Sequence, residues 1–407
     1  MALLRDRIYG PFFFGNLVSN CGNWIHNVAA AVVVFELTGD ALAVGAVSAC
    51  LWVGSLLLQP WAGALTDRYD RRRMLIAGQS VALVGALAIA IPTAIVGVED
   101  LPGPWPIYLG TLVIGVGVAF SIPAMQALIP ALVEKPDLDR AIALNGVTFN
   151  LARGIGPAIA GLILLEADAS IAFSINVASF AVLLAAMAWV RPRFERKPGR
   201  GDRSVGAGLR WVLADRRAVV LLGTMVAIGF ATDPINTLTP PMSREVGGGD
   251  SLVGLMVSGF GAGAVVAAFF VERIRDRIGR ERAATAGLGA LAAAIAAFAL
   301  SQAPAYAVGT LAIAGAGFIV AITSVTTQLQ DRVPDQVRGR VMALWGVAFL
   351  GTRPFSAAID GGIADLTSPR AAAVAMAAAA FAAALLQGRE AERPAARRPA
   401  ELAGTEY

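Results

Sequence analysis

The chain has 407 residues, of which 57% are hydrophobic and only 15% are charged, and its mean hydropathy is +0.66. Soluble domains carry about 25% charged residues, so this composition excludes an ordinary soluble protein and indicates an integral membrane protein. The formal charge of +4 does not indicate a nucleic-acid partner, because the basic residues fall in short clusters between apolar runs. One histidine and two cysteines cannot build a zinc site, a disulfide framework or a Cys/His nucleophile. We therefore expect no metal, no cofactor and no enzymatic activity.

Twelve apolar segments are long enough to cross a bilayer at about 20 residues per crossing. They are residues 11–36, 41–65, 74–97, 106–131, 142–165, 169–191, 218–240, 251–272, 283–302, 304–328, 341–363 and 370–387. The first apolar run is far longer than the core of a signal peptide, so we interpret it as a retained span.

The loops between these segments differ sharply in basic residues. Alternate loops, starting with the N-terminus, hold 29 of the 33 lysines and arginines, whereas the other loops hold only Arg244 and Arg370. Basic loops stay in the cytosol, so this asymmetry predicts a multi-pass protein of the cell membrane with both termini cytosolic.

The longest hydrophilic break, residues 191–217, divides the spans into six and six and holds nine basic residues. We expect an N-terminal bundle over residues 1–190, a cytosolic linker over 191–217, a C-terminal bundle over 218–388 and a disordered cytosolic tail over 389–407. The linker would lie beside anionic lipid headgroups, with a short amphipathic segment near "GLRWVL".

The two halves repeat one another. Asp67-Arg68 recurs 209 residues later as Asp276-Arg277, and Arg153 recurs 200 residues later as Arg353, together with matching Ala-Leu, Gly-Val and Gly positions. Parallel repeats of this kind build transporters that bind one substrate between two bundles.

Two motifs then resemble a known family. "GALTDRYDRRR" resembles the loop signature of the major facilitator superfamily, with Asp70 where the family usually has glycine, and "ARGIGPAIAG" resembles the fifth-helix motif of its drug antiporters. The chain to about residue 388 is similar to the secretion-effector branch, which includes the enterobactin exporter and macrolide efflux pumps. The resemblance implies an all-α membrane fold of twelve helices in two pseudo-symmetric six-helix bundles.

The resemblance also implies roles for both motifs. Asp67 would dock onto the start of the eleventh helix, near 338–342, and hold the cytosolic side shut, although the arginines could merely set orientation. The fifth-helix motif would kink the helix and shape the cavity or block a leak, although its glycines could serve packing alone. The signature residues are Gly63, Asp67, Arg68, Arg71 and Arg72, with Asp276, Arg277 and Arg280 in the second copy, and the fifth-helix residues are Gly154, Gly156, Pro157 and Gly161.

Arg153 and Arg353 lie near the middle of their spans, about 16 Å from the cytosolic end for Arg153 at 1.5 Å per residue. A charge at this depth costs on the order of 3 kcal/mol, so each arginine should face the interior and find acceptors. Either they anchor neighbouring helices, or they act on a substrate or on a coupling proton.

Proton coupling needs a group that changes charge during the cycle. Relatives often carry an acidic residue at the position of Asn23, which cannot titrate. Asp233 and His26 remain, at matching depths of the seventh and first spans, and we expect them to approach each other and carry the proton. His26 could instead be a satisfied polar residue.

We therefore expect a monomeric, proton-coupled exporter of a small, moderately hydrophobic drug, antibiotic or siderophore, in contact with membrane lipids. An importer or facilitator of a small metabolite is the alternative, and a non-transporting receptor or scaffold would not need repeated signatures and matched charges. No "GxxxxGK[ST]" motif for ATP binding occurs in the sequence.

Overall fold

A computed structural model describes residues 3–193 and 205–391, which form helices and connecting turns. The first half contains α1 (Tyr9–Thr38), α2 (Ala41–Arg68), α3 (Arg71–Val96), α4 (Trp105–Leu132), α5 (Leu138–Glu166) and α6 (Ala169–Trp189). Two short 3₁₀ turns, Leu3–Arg5 and Lys135–Asp137, precede α1 and α5.

The second half uses more helical pieces. They are α7 (Val205–Ala214), α8 (Arg216–Thr232), α9 (Pro234–Thr237), α10 (Thr239–Glu245), α11 (Asp250–Ala268), α12 (Val271–Ile278), α13 (Arg280–Ala299), α14 (Pro304–Arg332), α15 (Asp335–Leu350), α16 (Arg353–Leu366) and α17 (Pro369–Ala391). The expected amphipathic segment of the linker is the helix α7. The rest of the linker and the expected tail fall largely on residues 194–204 and 392–407, which lie outside the described part of the chain.

Eleven helical segments in the described residues are long and apolar enough to cross a membrane, and they overlap the second to twelfth predicted spans. Helix α1 has 30 residues, or about 45 Å at 1.5 Å per residue, and supplies the first. Its apolarity is lower because four asparagines and a histidine interrupt it, namely Asn16, Asn20, Asn23, His26 and Asn27. The prediction of a twelve-helix, all-α membrane fold is confirmed.

Two of the predicted spans are interrupted in the second half. The seventh span is broken at Asp233 and again at Leu238, where prolines follow in the sequence. The eleventh is broken at Gly351-Thr352, directly before Arg353-Pro354. Proline has no backbone donor and fits the first turn of a helix, so each break begins a new helix.

Helix α5, the first-half counterpart of α15 and α16, behaves differently. It contains Pro157 and is nevertheless assigned as one continuous helix. The kink predicted at Pro157 stays a prediction, whereas the repeat partner of α5 is divided into two helices.

The halves pack tightly at one end, which we call the far end because it lies opposite the basic loops. A Cβ atom on Gly361 of α16 would lie 2.7 Å from the Cα of Leu42, and one on Gly254 of α11 would lie 2.5 Å from the carbonyl oxygen of Pro157. Such small residues allow helix backbones to approach closely in a membrane.

A polar contact accompanies this packing at the far end. The Asp365 carboxylate, at the end of α16, accepts hydrogen bonds from the backbone N–H groups of Ala41 (2.7 Å) and Leu42 (2.9 Å). These are the first two residues of α2, whose N-terminal donors have no partner within the helix. Asp365 of the second half thus caps a helix of the first.

Candidate functional site: a central cavity between the halves

A cavity of about 540 Å³ lies between the two halves. Its walls are mainly apolar and aromatic, with a set of amides concentrated on α1. The amide residues are Asn16, Asn20, Asn23, Asn27, Gln79, Gln126, Asn145 and Asn236. The volume and the mixture of apolar walls with a few polar groups are typical of a site for a drug-sized molecule.

The amides on α1 are partly joined to α5. Asn16 donates from Nδ2 to Oδ1 of Asn145 at 3.0 Å, and Asn20 donates to Oδ1 of Asn16 at 2.8 Å. Asn23, one turn further along α1, lines the same cavity. Amides hold hydrogen-bonding groups in place without changing charge, so this wall can recognise a ligand but cannot carry a proton.

Arg153 lines the cavity and is enclosed by aromatic rings. Its Cζ lies 4.4 Å from the ring centroid of Phe260, 4.7 Å from Phe318 and 5.3 Å from Trp24. The side chain is buried, and its Nε has no hydrogen-bond acceptor among the described residues. Cation–π attraction compensates part of the cost of burying a guanidinium, but it leaves the N–H donors available.

Arg353 lines the same cavity from the second half. Its Cζ lies 5.0 Å from the Trp52 ring and 5.4 Å from the Phe349 ring, and its Nε also has no acceptor within the described residues. The structure thus brings both sequence-predicted arginines to one cavity. Neither anchors a neighbouring helix through a described hydrogen bond, which was one of the two expected roles.

Asp233 lies at the break between α8 and α9 and is buried. Its Oδ2 accepts a hydrogen bond from the Thr237 hydroxyl at 3.0 Å, and its carboxyl lies within hydrogen-bonding range of the Asp360 carboxyl. The nearby cation is Arg353, which interacts electrostatically with Asp233.

Sequence reasoning missed Asp360. The available signal was a carboxylate in the apolar stretch "FSAAIDGGIADL", at the repeat position where α5 carries Ala160. An ionisable residue inside a span is a functional candidate by default.

His26 has different neighbours from those expected. Its Nε2 lies 3.2 Å from the Thr111 hydroxyl on α4, and its ring lies 5.5 Å from that of Phe173 on α6. The described contacts of His26 and of Asp233 do not include each other, so the structure does not bring together the pair that the repeat suggested. His26 here is a hydrogen-bonded residue inside the first half.

The fifth-helix glycines lie at close helix contacts. A Cβ on Gly156 would lie 2.6 Å from the Trp24 Cβ on α1, and one on Gly161 would lie 2.8 Å from the Ser251 carbonyl oxygen on α11. A Cβ on Gly154 would meet Gly261 at an ordinary 3.6 Å, and Pro157 contributes its carbonyl to the contact with Gly254. This motif therefore packs α5 against both its own half and the other half.

The loop signature forms contacts within the first half. Arg72 donates to the carbonyl oxygens of Met187 (2.8 Å) and Ala188 (3.0 Å) at the end of α6, and Arg71 donates to Ala127 on α4 (3.3 Å). Cations are favourable at such helix C-termini. Asp70, at the position where the family has glycine, accepts from the N–H of Arg73 at 2.7 Å and caps α3. In the described structure Arg71 and Arg72 therefore meet helix carbonyls.

The remaining residues of the first loop signature make few described contacts. Arg68 ends α2 and is exposed, and a Cβ on Gly63 would meet nothing within 4 Å. The side chains of Asp67 and Arg338 lie outside the described part of the structure, so the docking of Asp67 onto the eleventh helix stays a prediction.

In the second copy of the signature, Arg280 forms an ion pair with Asp331 on α14. Arg275 donates to Glu272 at 2.7 Å and to the Ser324 hydroxyl at 3.2 Å, while Asp276 and Arg277 are exposed. The copy thus keeps its contacts within the second half. Among the described residues, no group of three or more histidine, cysteine or acidic residues could hold a metal ion.

Solved structures share this fold at low sequence identity. A bacterial homologue of the iron transporter ferroportin, in an inward-facing state, superposes with a TM-score of 0.74 at 14% identity, covering 94% of this chain and 98% of that one. The nucleoside transporter NupG superposes with a TM-score of 0.74 at 12% identity, covering 94% of this chain and 99% of that one.

Curated relatives are similar over most of the chain. The staphyloferrin A transporter of Staphylococcus aureus is 26% identical over 275 residues, covering 66% of this chain and 68% of that protein. An enterobactin exporter of Escherichia coli is 25% identical over 345 residues, covering 83% and 77%, and that of Salmonella choleraesuis is 23% identical over 383 residues, covering 92% and 90%.

The family profile described as "Transmembrane secretion effector" matches residues 1–400. The comparisons also confirm that the protein is a transporter of a small molecule and not an enzyme. The chain therefore belongs to the transmembrane secretion effector family of the major facilitator superfamily, whose members are multi-pass membrane proteins.

Proposed function

We propose that this protein exports a small, moderately hydrophobic, oxygen-rich molecule of the siderophore class by alternating access, driven by proton antiport. The observation that carries the proposal is the pair of cavity arginines, Arg153 and Arg353, whose Nε donors have no acceptor among the described residues. A transporter that keeps two guanidinium groups in a mostly apolar cavity gains most from a substrate that brings its own acceptors.

The chemistry of the cavity supports this substrate class. Siderophores bind iron through hard oxygen donors, and in the iron-free form the same oxygens can accept hydrogen bonds from guanidinium and amide groups. The rings around the arginines, including Trp24, Trp52 and Phe318, offer stacking surface to an aromatic or apolar body. Similarity to transporters named for enterobactin and staphyloferrin A favours this class over other drugs and antibiotics.

The direction of transport is proposed from the similarity to enterobactin exporters, and charge and packing give the orientation and the conformation of the chain. The basic loops favour the cytosol, so both termini would be cytosolic and the far end would face outward from the cell membrane. Close contacts between α5 and α11 and between α2 and α16 occur at the far end. They close the cavity on that side, which is the state that an exporter adopts when it loads substrate from the cytosol.

The test is uptake into inverted membrane vesicles, where export from the cell becomes accumulation inside the vesicle. Iron-free enterobactin, iron-free staphyloferrin A and a macrolide are supplied with and without a protonophore. We expect accumulation of an iron-free siderophore that the protonophore abolishes. Accumulation of the macrolide alone, or uptake that does not respond to the protonophore, would contradict the substrate class or the proton coupling respectively.

Two variants connect the assay to the site. Arg153→Met should abolish accumulation while the protein remains folded, and Arg140→Met, which removes a largely exposed arginine, is the matched control.

Asp233→Asn should abolish proton-driven uptake, because Asp233 is the proposed proton carrier. Intact proton-driven uptake in Asp233→Asn would exclude that role.

A further inference from the structure

A second carboxyl group accompanies Asp233 and has no role in the function described so far. Asp360, on α16, is fully buried, and the described residues give neither of its oxygens a donor in good hydrogen-bond geometry, although the backbone N–H of Gly361 interacts with it. One oxygen of Asp233, Oδ1, also lacks a well-placed donor, although the Ser356 hydroxyl interacts with this carboxyl. Buried carboxylate oxygens without donors are costly, so three of them at one place need an explanation.

A proton shared by the two carboxyl groups explains why these buried oxygens lack well-placed donors. The two carboxyl groups lie within hydrogen-bonding range of each other. Two ionised carboxylates offer only acceptors, whereas one proton between them turns the contact into a hydrogen bond. Adjacent buried carboxyl groups do not ionise together, because the second negative charge is repelled by the first and neither is hydrated.

The charge balance of the cluster agrees with one proton. Arg353 supplies one positive charge, and two carboxyl groups that share a single proton supply one negative charge, so the buried cluster is neutral. The pair is packed among α1, α2, α11 and α17 as well as its own helices, yet within the described residues Arg353 is the other charged group that acts on it. The Thr237 hydroxyl donates to Asp233, which fixes one carboxyl in place.

The charged cluster lies at two helix breaks, and one of its members, Arg353, also lines the cavity. Asp233 lies at the break between α8 and α9, and Arg353 begins α16 directly after the break from α15. Arg353 also lines the cavity, so a change of charge on the pair alters the electrostatics of a residue that faces the substrate. Interrupted helices of this kind are where transporters place coupling ions.

We propose that Asp233 and Asp360 share one proton and together form the proton-carrying site, with Arg353 as the positioning cation between this site and the cavity. The inference rests on the proposed proton-coupled export and replaces the Asp233–His26 pairing. When the halves rearrange and water reaches the pair, the shared O–H bond breaks and the proton passes to that water. Hydration then allows both carboxyl groups to be ionised, with Arg353 as their cation. The reverse step reloads the pair from the other side.

The first experiment needs no transport substrate. Infrared difference spectra of the purified full-length protein, recorded between neutral and alkaline pH, report the C=O band of a protonated carboxyl. We expect this band in the wild type and in Asp40→Asn, which makes the same change at an exposed carboxyl.

All spectra are recorded in a Glu36→Gln background, because Glu36 and Asp250 form a second carboxyl pair that could give the same band. In that background both Asp233→Asn and Asp360→Asn should lose the band, because the single carboxyl left near Arg353 ionises. A band that persists in Asp233→Asn would overturn the shared proton, since Asp360 would then hold a proton alone.

A comparison of salts tests whether the carboxyl pair binds Na⁺ instead of a proton. Carboxylate and hydroxyl oxygens also suit Na⁺, so the spectra are repeated in sodium and in N-methylglucamine salts. We expect identical spectra. Loss of the protonated band on addition of sodium would overturn the proposal in favour of a sodium site.

The second experiment separates this inference from the proposed function. Asp360→Asn should reduce gradient-driven uptake of iron-free enterobactin to the level of protonophore-treated wild type, while exchange of the same probe across the membrane without a gradient continues. If wild-type uptake ignores the protonophore, the proposed function fails whatever the spectra show. If wild-type uptake depends on protons and Asp360→Asn retains that dependence, only the pair is overturned. Asp360→Glu, which keeps the carboxyl, should retain coupling and guards against misfolding as the cause of a loss.

Discussion

Helix α5 and the broken helix α15–α16 occupy equivalent places in the two halves, and each carries one arginine at the same repeat position, yet the arginines have different surroundings. Arg153 lies among three aromatic rings, without a described hydrogen bond or carboxylate contact. Arg353 interacts electrostatically with Asp233, which in turn lies within hydrogen-bonding range of Asp360. The repeat conserves the position of the charge but not how the charge is compensated.

The difference extends to the helices themselves. Helix α5 is continuous and has Ala160 where the second half has Asp360. The first half contributes most of the amides and an aromatic-bound arginine to the cavity. The second half contributes Arg353 to the cavity and holds two buried carboxyls outside its lining, Asp233 at a helix break and Asp360 within α16. This contrast favours a division of labour in which the first half recognises the substrate and the second half carries the proton.

The largest expected effect comes from removing each arginine's charge. Arg353→Met leaves the buried carboxyl pair without the cation that acts on it electrostatically, so the negative charge of the pair is no longer balanced. Arg153→Met removes a cation that is held mainly by rings and leaves no described carboxylate unpaired. We therefore expect Arg353→Met to lower the yield and thermal stability of the protein strongly, and Arg153→Met to abolish transport with little loss of stability.

A double variant sharpens this comparison. Asp233→Asn in the Arg353→Met background removes the excess negative charge and should recover much of the lost stability, whereas Asp233→Asn should not alter the stability of Arg153→Met beyond its own effect. Thermal unfolding of the purified variants measures both. Equal destabilisation by the two arginine variants would mean that the halves do not differ in the way proposed.

An intermediate effect is expected at the contact between the halves. In Gly361→Leu the new side chain meets the backbone of Leu42, whereas in the adjacent Gly362→Leu a Cβ atom meets nothing within 4 Å. Overpacking of this kind costs about 1–3 kcal/mol, and here it destabilises only the arrangement in which the far end is closed.

The readout is the accessibility of a cysteine placed at Val44, which lines the cavity on α2, in a background without Cys21 and Cys50. A membrane-impermeant maleimide is added from the far side of the membrane. Labelling should rise in Gly361→Leu and stay at the parental level in Gly362→Leu. A rise in both would indicate general loosening of the fold and not a specific opening of the far end.

A smaller effect is expected at the polar contact of the far end. Asp365→Ala removes the carboxylate that accepts from the N–H groups of Ala41 and Leu42, and a helix cap typically contributes about 1 kcal/mol. Labelling of the same cysteine should rise slightly, and Asp365→Asn, which keeps one acceptor oxygen, should give less of a rise. Unchanged labelling in Asp365→Ala would mean that glycine packing alone closes the far end.

The sequence predicted the twelve spans well, because about 20 apolar residues between polar loops leave the chain few alternatives in a membrane. It also predicted that Arg153 and Arg353 would face inward, since a guanidinium cannot remain in lipid. The neighbours of these residues could not be predicted in the same way. Periodicity gives depth along a helix but not its rotation against another helix, so the repeat matched His26 with Asp233 while Asp360 remained unnoticed among alanines and glycines.

The smallest expected effect, and the last test of the comparison, is at His26. His26 and Asp233 hold matching positions in the repeat, but His26 shares a hydrogen bond with Thr111 inside the first half, and Asp233 belongs to the charged cluster of the second half. His26→Gln can keep a hydrogen bond to Thr111, and a single neutral hydrogen bond contributes about 1 kcal/mol, so stability should change by no more than that. The pH profile of gradient-driven uptake should match that of the wild type, in contrast to Asp233→Asn. A shifted profile in His26→Gln would place a titrating group in the first half and end the proposed division of labour.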